Sequence, residues 1–239
     1  FGAYTFGATG MTWTDNEFYE NVRYGLDPHD DSNGFLVENN KFHDNGSHGL
    51  IFSKRCVNNI VKNNISYNNK GHGIMLHAAS NYNRIEDNKF YDNADGIFVN
   101  DSHYNVIARN QIYQNQNGVR ANKNSKENII EKNRIYDNSQ IGVYLYGNAN
   151  NNVLNANLLA KNRYGLYVKS NNNQFTGNTV TENNVGFYLL SGASGNTIAE
   201  NEISHTDSYP VYTKLSGHIQ NFLSNNILTR NKKEIYARE

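Results

Sequence analysis

The chain has 239 residues with 22 Lys and Arg against 22 Asp and Glu, so bulk charge points to neither nucleic acid nor an anionic membrane surface. Mean hydropathy is −0.76 although only 18% of residues are charged; Asn, Gly, Ser and Thr carry the polarity and Pro occurs twice, which favours a turn-rich β fold over a helical one. No apolar run approaches the ~18 residues of a spanning helix, and the single Cys56 cannot form an internal disulfide, so cysteine usage leaves the compartment undecided.

The opening FGAYTF reads as a strand with no targeting signal ahead of it and no initiator Met, so the numbering is expected to start inside a longer precursor. A repeat follows: polar-Asn-x-apolar, a few polar residues, then Gly-apolar-x-apolar, as in DNEFYENVRYGLDP, NNKFHDNGSHGLIF, NNISYNNKGHGIML and onwards to GNTVTENNVGFYL. Its marker is Asn16, Asn40, Asn64, Asn88, Asn110, Asn133, Asn157, Asn178, Asn201 and Asn226, spaced by 21 to 25 residues. A period of that length with strand-type alternation means a solenoid of short parallel strands. The leucine-rich solenoid is set aside because its Leu pattern and helical segment are missing. The expected fold is all-β, a right-handed parallel β-helix of about ten coils in a single domain spanning 1–239, a rod of order 48 Å at about 4.8 Å per coil. Stacked amides of the marker Asn are expected to hydrogen-bond along the axis, with Asn itself tolerating the left-handed backbone of the turn.

Aligning the coils on Gly25, Gly49, Gly73, Gly96, Gly118, Gly142, Gly165 and Gly186 separates two faces. One and three residues later the side chains are apolar, from Leu26 and Pro28 to Phe187 and Leu189, and should point inward. Two residues after each Gly the outward column reads Asp27, Ile51, Met75, Phe98, Arg120, Tyr144, Tyr167, Tyr188; four after, it reads His29, Ser53, His77, Asn100, Asn122, Tyr146, Lys169, Leu190. Together they form a candidate groove, with titratable groups at one end and aromatics with Arg120 and Lys169 at the other. Rings that lie along pyranose faces and cations that pair with carboxylates suit an acidic sugar chain. Outward Tyr also forms ladders that stabilise a sheet without any ligand. His48 and His72, just before their Gly, are either turn residues or part of the site.

The segment Tyr24-Gly25-Leu26-Asp27-Pro28-His29-Asp30 breaks the repeat, because Pro28 takes an inward strand position and removes a ladder donor. Either this is a turn at an end strand, or it displays Tyr24, Asp27 and His29 together. YGLDPHD resembles the Tyr-Gly-x-Asp-Pro-His-Asp signature of mannuronan (alginate) C-5 epimerases, and HGLIFSKRCVNN one coil later is similar to the basic segment that follows it; the periplasmic bacterial and brown-algal members are nearest. The resemblance covers about residues 1 to 105; beyond that only the generic repeat remains. It implies that His29 is the base or acid at C-5, Tyr24 its partner on the opposite side, Asp27 the group that orients or tunes His29, and Lys54 or Arg55 the cation that neutralises the substrate carboxylate. Ser53, His77, His48, His72, Arg120, Tyr144, Tyr146, Tyr167 and Lys169 are the expected substrate-binding residues. Ser53 stands where calcium-dependent secreted members carry Asp; no metal ligand or cofactor is indicated, and calcium is left open. Those enzymes also have substantial sequence ahead of the signature, with a further cation in some, which this chain does not contain; additional domains or a partner chain are expected at that end.

The implied partner is alginate or polymannuronate, with no nucleic acid and no membrane span, and a polymeric substrate sets the periplasm or the extracellular space as the default. A polysaccharide lyase on the same fold, which expels the 4-linked sugar after the same proton removal, and a non-catalytic glycan-binding β-helix are the alternatives.

Overall fold

The computed structural model describes residues 1–214 and 221–238. Among the described residues three parallel sheets run along the solenoid, one of eleven strands and two of ten, each pairing strand n with strand n + 3 of the chain order. The groove sheet begins with Ala3–Phe6, Leu26–His29, Leu50–Ser53, His72–His77, Asp95–Asn100, Asn117–Asn122 and Ile141–Leu145. No helix among the described residues is long and apolar enough to cross a membrane.

The inward set read from the glycine alignment is the core: Leu26, Leu50, Phe52, Ile74, Leu76, Ile97, Val119, Val143, Leu166 and Phe187 are all buried. The aligned glycines are needed because adjacent coils approach so closely there. A Cβ on Gly25 would lie 2.5 Å from the carbonyl oxygen of Gly49, a backbone atom that cannot move aside.

All ten marker asparagines join in one ladder, in which each amide donates to the Oδ1 of the next, from Asn16 to Asn226. Two more ladders, unexpected from the sequence, run from Asn21 to Asn183 and from Asn59 to Asn221. The left-handed residue at the marker turn is not the Asn itself. It is the residue before: Asp15, Asn39, Asn63, Asp87, Arg109, Lys132 and Ala156 have φ between 53° and 58°. The side chain that turns inward to reach the next coil must come from extended backbone, so the turn's strain falls on its solvated neighbour.

Candidate active site

Pro28 interrupts the sheet where the sequence says it should. Leu26–His29 pairs with Ala3–Phe6 at all four positions, but with Leu50–Ser53 only at Leu26↔Leu50 and His29↔Ser53. The Pro28 carbonyl instead accepts a hydrogen bond from the Cys56 thiol at 3.3 Å, and burial pushes that thiol up to about 12, which keeps it protonated as a donor.

Beyond His29 the chain turns through two left-handed residues, Asp30 (φ 35°) and Asp31 (φ 61°), and the next coil repeats the turn with Lys54 (φ 71°) and Arg55 (φ 59°). Two carboxylates are thereby stacked on two cations. Asp30 Oδ1 lies 3.0 Å from both Lys54 Nζ and Arg55 Nη2, and Arg55 also grips Asp31 at 2.7 and 2.9 Å. The other oxygen of Asp30 is 2.6 Å from His29 Nδ1. The hydrogen bond from Lys54, then that from His29, hold the Asp30 carboxyl below the usual range. An ionised carboxylate only accepts, so His29 Nδ1 carries a proton, and it is the tautomer with the lone pair on Nε2 that this contact selects in the neutral ring.

The group hydrogen-bonded to the His29 ring is Asp30. Asp27 is 2% exposed on the floor of the same cleft, with Oδ1 unpartnered, and is coupled to His29 through charge. Burial raises its pKa above the ordinary aspartate value, against the opposing pull of the Ser53 hydroxyl and His29. A carboxyl whose folded pKa is raised favours the folded state below the unfolded pKa, about 4, and that contribution is lost as pH rises through the folded value. Asp27→Asn is therefore expected to stabilise the fold at neutral pH by about 1 kcal/mol, an advantage that disappears near pH 3; thermal melts of both chains across that range check it.

A cleft of about 520 Å³ opens above these groups, lined by Tyr24, Asp27, His29, Ser53, Lys54 and His77 among the expected residues. Tyr4 and Arg23 line it as well and were not anticipated. Tyr4 sits two residues after Gly2, the same phase that gives Asp27 after Gly25, so extending the alignment by one coil finds it. Arg23 lies on the turn, where the repeat carries no signal. Arg55 is one layer out, held by Asp30 and Asp31.

His48 and His72 do not line the cleft. Tyr24, His48 and His72 form a face-to-face stack, with centroids 5.0 and 4.6 Å apart. His48 Nδ1 accepts the His72 main-chain N–H at 3.1 Å, and burial, then the nearby His72, lower its pKa to about 3. It is a neutral ring that backs Tyr24. Gly71 makes the space, since a Cβ there would lie 2.4 Å from His48 Nδ1.

The remaining expected residues lie farther along. Arg120 is committed to a buried carboxylate, with Nη2 2.6 Å from Asp95 Oδ2. His77 bonds Asn100 at 3.1 Å, Asn100 donates to Asn122 at 2.6 Å, and Asn122 donates to the Tyr146 hydroxyl at 2.7 Å. Tyr167 stacks on Tyr188, and that ring on Tyr212, with interplanar angles of 18° and 9°. Those facing rings cover one another, whereas Tyr144 and Tyr167 meet edge to face at 86°. Tyr67, Tyr91, Tyr113 and Tyr136 on another sheet stack likewise; such ladders belong to the coil geometry. Lys169 is exposed at the far end. Among the described residues no group of three or more His, Cys, Asp or Glu side chains could hold a metal ion.

A family model described as a right handed beta helix region matches residues 1–90, 30–173 and 130–237. No curated protein matches the sequence. Of solved structures, the chain is similar to the periplasmic alginate epimerase AlgG, with TM-score 0.62 and 21% identity over 95% of this chain and 47% of that one. It is also similar to the A-module of the Azotobacter vinelandii mannuronan C-5 epimerase AlgE6, with TM-score 0.64 and 19% identity over 97% and 61%. DFA-IIIase from Arthrobacter chlorophenolicus A6 shares the architecture too, at TM-score 0.63 and 15% identity over 74% and 47%. The chain spans about half the length of AlgG, and at these identities the likeness is one of fold.

Proposed function

The chain belongs to the right-handed β-helix family, and on that frame we propose that it converts β-D-mannuronate units of alginate to α-L-guluronate by inversion at C-5. One observation carries the reading: a histidine whose Nδ1 is tied to a cation-held carboxylate lines a cleft together with a tyrosine and a lysine.

Each group has a task. Lys54, with Arg55 behind it, neutralises the substrate carboxylate, because a proton alpha to a charged carboxylate is too weakly acidic to leave unaided. His29 Nε2 takes the C-5 proton, and the electron pair of the broken C–H bond spreads into the carboxylate. The Tyr24 hydroxyl then delivers a proton to the opposite face, which completes the inversion, and solvent returns a proton from His29 to Tyr24. Asp30 holds the imidazole in the tautomer that the first step requires. The polymeric substrate places the reaction in the periplasm or outside the cell, in keeping with the name of the periplasmic AlgG.

Polymannuronate incubated with the chain in deuterated water should yield guluronate carrying deuterium at C-5, seen by proton NMR. Unsaturated chain ends without guluronate would replace the epimerase by a lyase, and neither signal would leave a glycan-binding module.

A further inference from the structure

Four strands along the groove sheet from His29, about 19 Å at ~4.8 Å per strand, a second cleft of about 400 Å³ is lined by Asp95, Gln116, Asn117, Arg120, Gln140 and Tyr144. Its floor is an ion pair between a buried carboxylate and a half-buried guanidinium. Asp95, 2% exposed, contacts His72 Nδ1 at 2.9 Å and Arg120 Nη2 at 2.6 Å through Oδ2, and accepts from Asn117 Nδ2 at 2.9 Å through Oδ1. Arg120 lies over the Phe98 ring, 3.9 Å from its centroid, and its buried Nε has no hydrogen-bond partner.

The charge of this floor decides what it can bind. Burial alone would raise the Asp95 pKa, but His72, Arg120 and Asn117 outweigh it and bring the carboxyl below its ordinary value. Asp95 is thus an anion that cancels the Arg120 cation, and the rest of the lining is amide and hydroxyl apart from Ala94 and Ile141. A ligand carboxylate entering here meets no uncompensated positive charge and must approach Asp95. A hydroxyl group, which donates and accepts, can use both members of the pair and the amides.

We propose that this cleft is a second sugar subsite that reads hydroxyl groups rather than carboxylate, and so accepts units of either configuration at C-5. The proposal rests on the reading of the groove as an alginate site. It has a consequence for that reaction, since a polymer that is being epimerised presents both kinds of unit, and a subsite built on carboxylate position would reject one of them.

Calorimetric titration of the otherwise intact His29→Ala chain, in which the substrate is not consumed, separates the outcomes. Octamannuronate spans both clefts and trimannuronate only the first. The charge-neutral double variant Asp95→Asn with Arg120→Gln should weaken octamer binding about fivefold to tenfold and leave the trimer unchanged, with the dependence of octamer affinity on salt unaltered between about 50 and 200 mM. Lys54→Gln should lower that salt slope by about one, and Asp95→Asn, which uncovers the Arg120 charge, should raise it by about one. Gln116→Ala, an exposed position with the fold left intact, should also weaken the octamer selectively. A salt slope that drops by about one in the charge-neutral double variant would show carboxylate recognition and overturn the proposal, as would octamer affinity indifferent to both that double variant and Gln116→Ala. Binding without turnover in the unsubstituted chain would remove the epimerase reading and leave the subsite; no binding of either oligomer would remove both.

Discussion

Replacing His29 by Ala should lower the rate of C-5 deuterium incorporation by about 10³-fold, within the 10² to 10⁴ that a general acid or base contributes, while affinity for oligomannuronate changes by less than about threefold. The asymmetry follows from geometry. The His29 ring is partly exposed at the cleft, and its hydrogen bond through Nδ1 runs back to Asp30 at the surface turn, so its loss disturbs the core little. Asp30→Asn tests the orienting role separately. The ring stays, but an amide that can donate as well as accept no longer dictates which imidazole nitrogen carries the proton, and Lys54 and Arg55 lose their carboxylate. A drop of about ten- to a hundredfold in turnover with unchanged affinity is expected, and rates from single-turnover NMR read it. Equal rates in His29→Ala and the unsubstituted chain would remove the proposed base.

The repeat made the frame legible before any coordinates. A spacing of 21 to 25 residues, the glycine phase and the alternation after it placed Leu50, Phe52, Ile74 and Leu76 in the core, and all are buried. Pro28 marked a strand whose pairing with the next coil skips the Asp27 and Pro28 positions. The sequence was less informative wherever contacts run between coils at the turns. Asp27 was expected to orient or tune His29 on the strength of the resemblance; the hydrogen-bond partner of the ring, Asp30, lies past the strand end, where a left-handed turn folds its carboxylate back onto the ring. His48 and His72 fell in the same column as Tyr24, which periodicity does reveal, but whether a column faces a cleft or packs behind one depends on rotamers that spacing does not encode. Asp95 escaped notice for a similar reason. It occupies the His72 column one coil on, and only its contacts with His72 and Arg120 show that it sets the charge of the second cleft.

Asn88→Ala should destabilise the solenoid by about 3–5 kcal/mol, measured by denaturant titration. The fully buried Asn88 accepts from the main-chain N–H and the side-chain amide of Asn64 at 2.8 and 3.0 Å, and donates to the Val61 carbonyl and to Asn110 Oδ1, both at 3.0 Å. Removing it takes this acceptor from the Asn64 main-chain N–H and this donor from the Val61 carbonyl, while Asn64 Nδ2 keeps the Val37 and Lys62 carbonyls and Asn110 Oδ1 keeps the Asn88 main-chain N–H; each unmade bond in a water-free interior costs about 1–3 kcal/mol before relaxation. Because each coil contacts only its neighbours, the loss should appear as a break in cooperativity at the Asn88 coil as well as a lower midpoint. Asn184→Ala, an exposed asparagine outside the ladders, should change stability by no more than about 0.5 kcal/mol. Asn88→Asp sharpens the argument. The charged side chain can still accept from Asn64 but turns acceptors toward Val61 and Asn110, whereas its protonated form regains one donor. Its folded pKa must therefore rise, so the mutant should lose least stability below the unfolded value near 4 and progressively more as pH rises through the folded one.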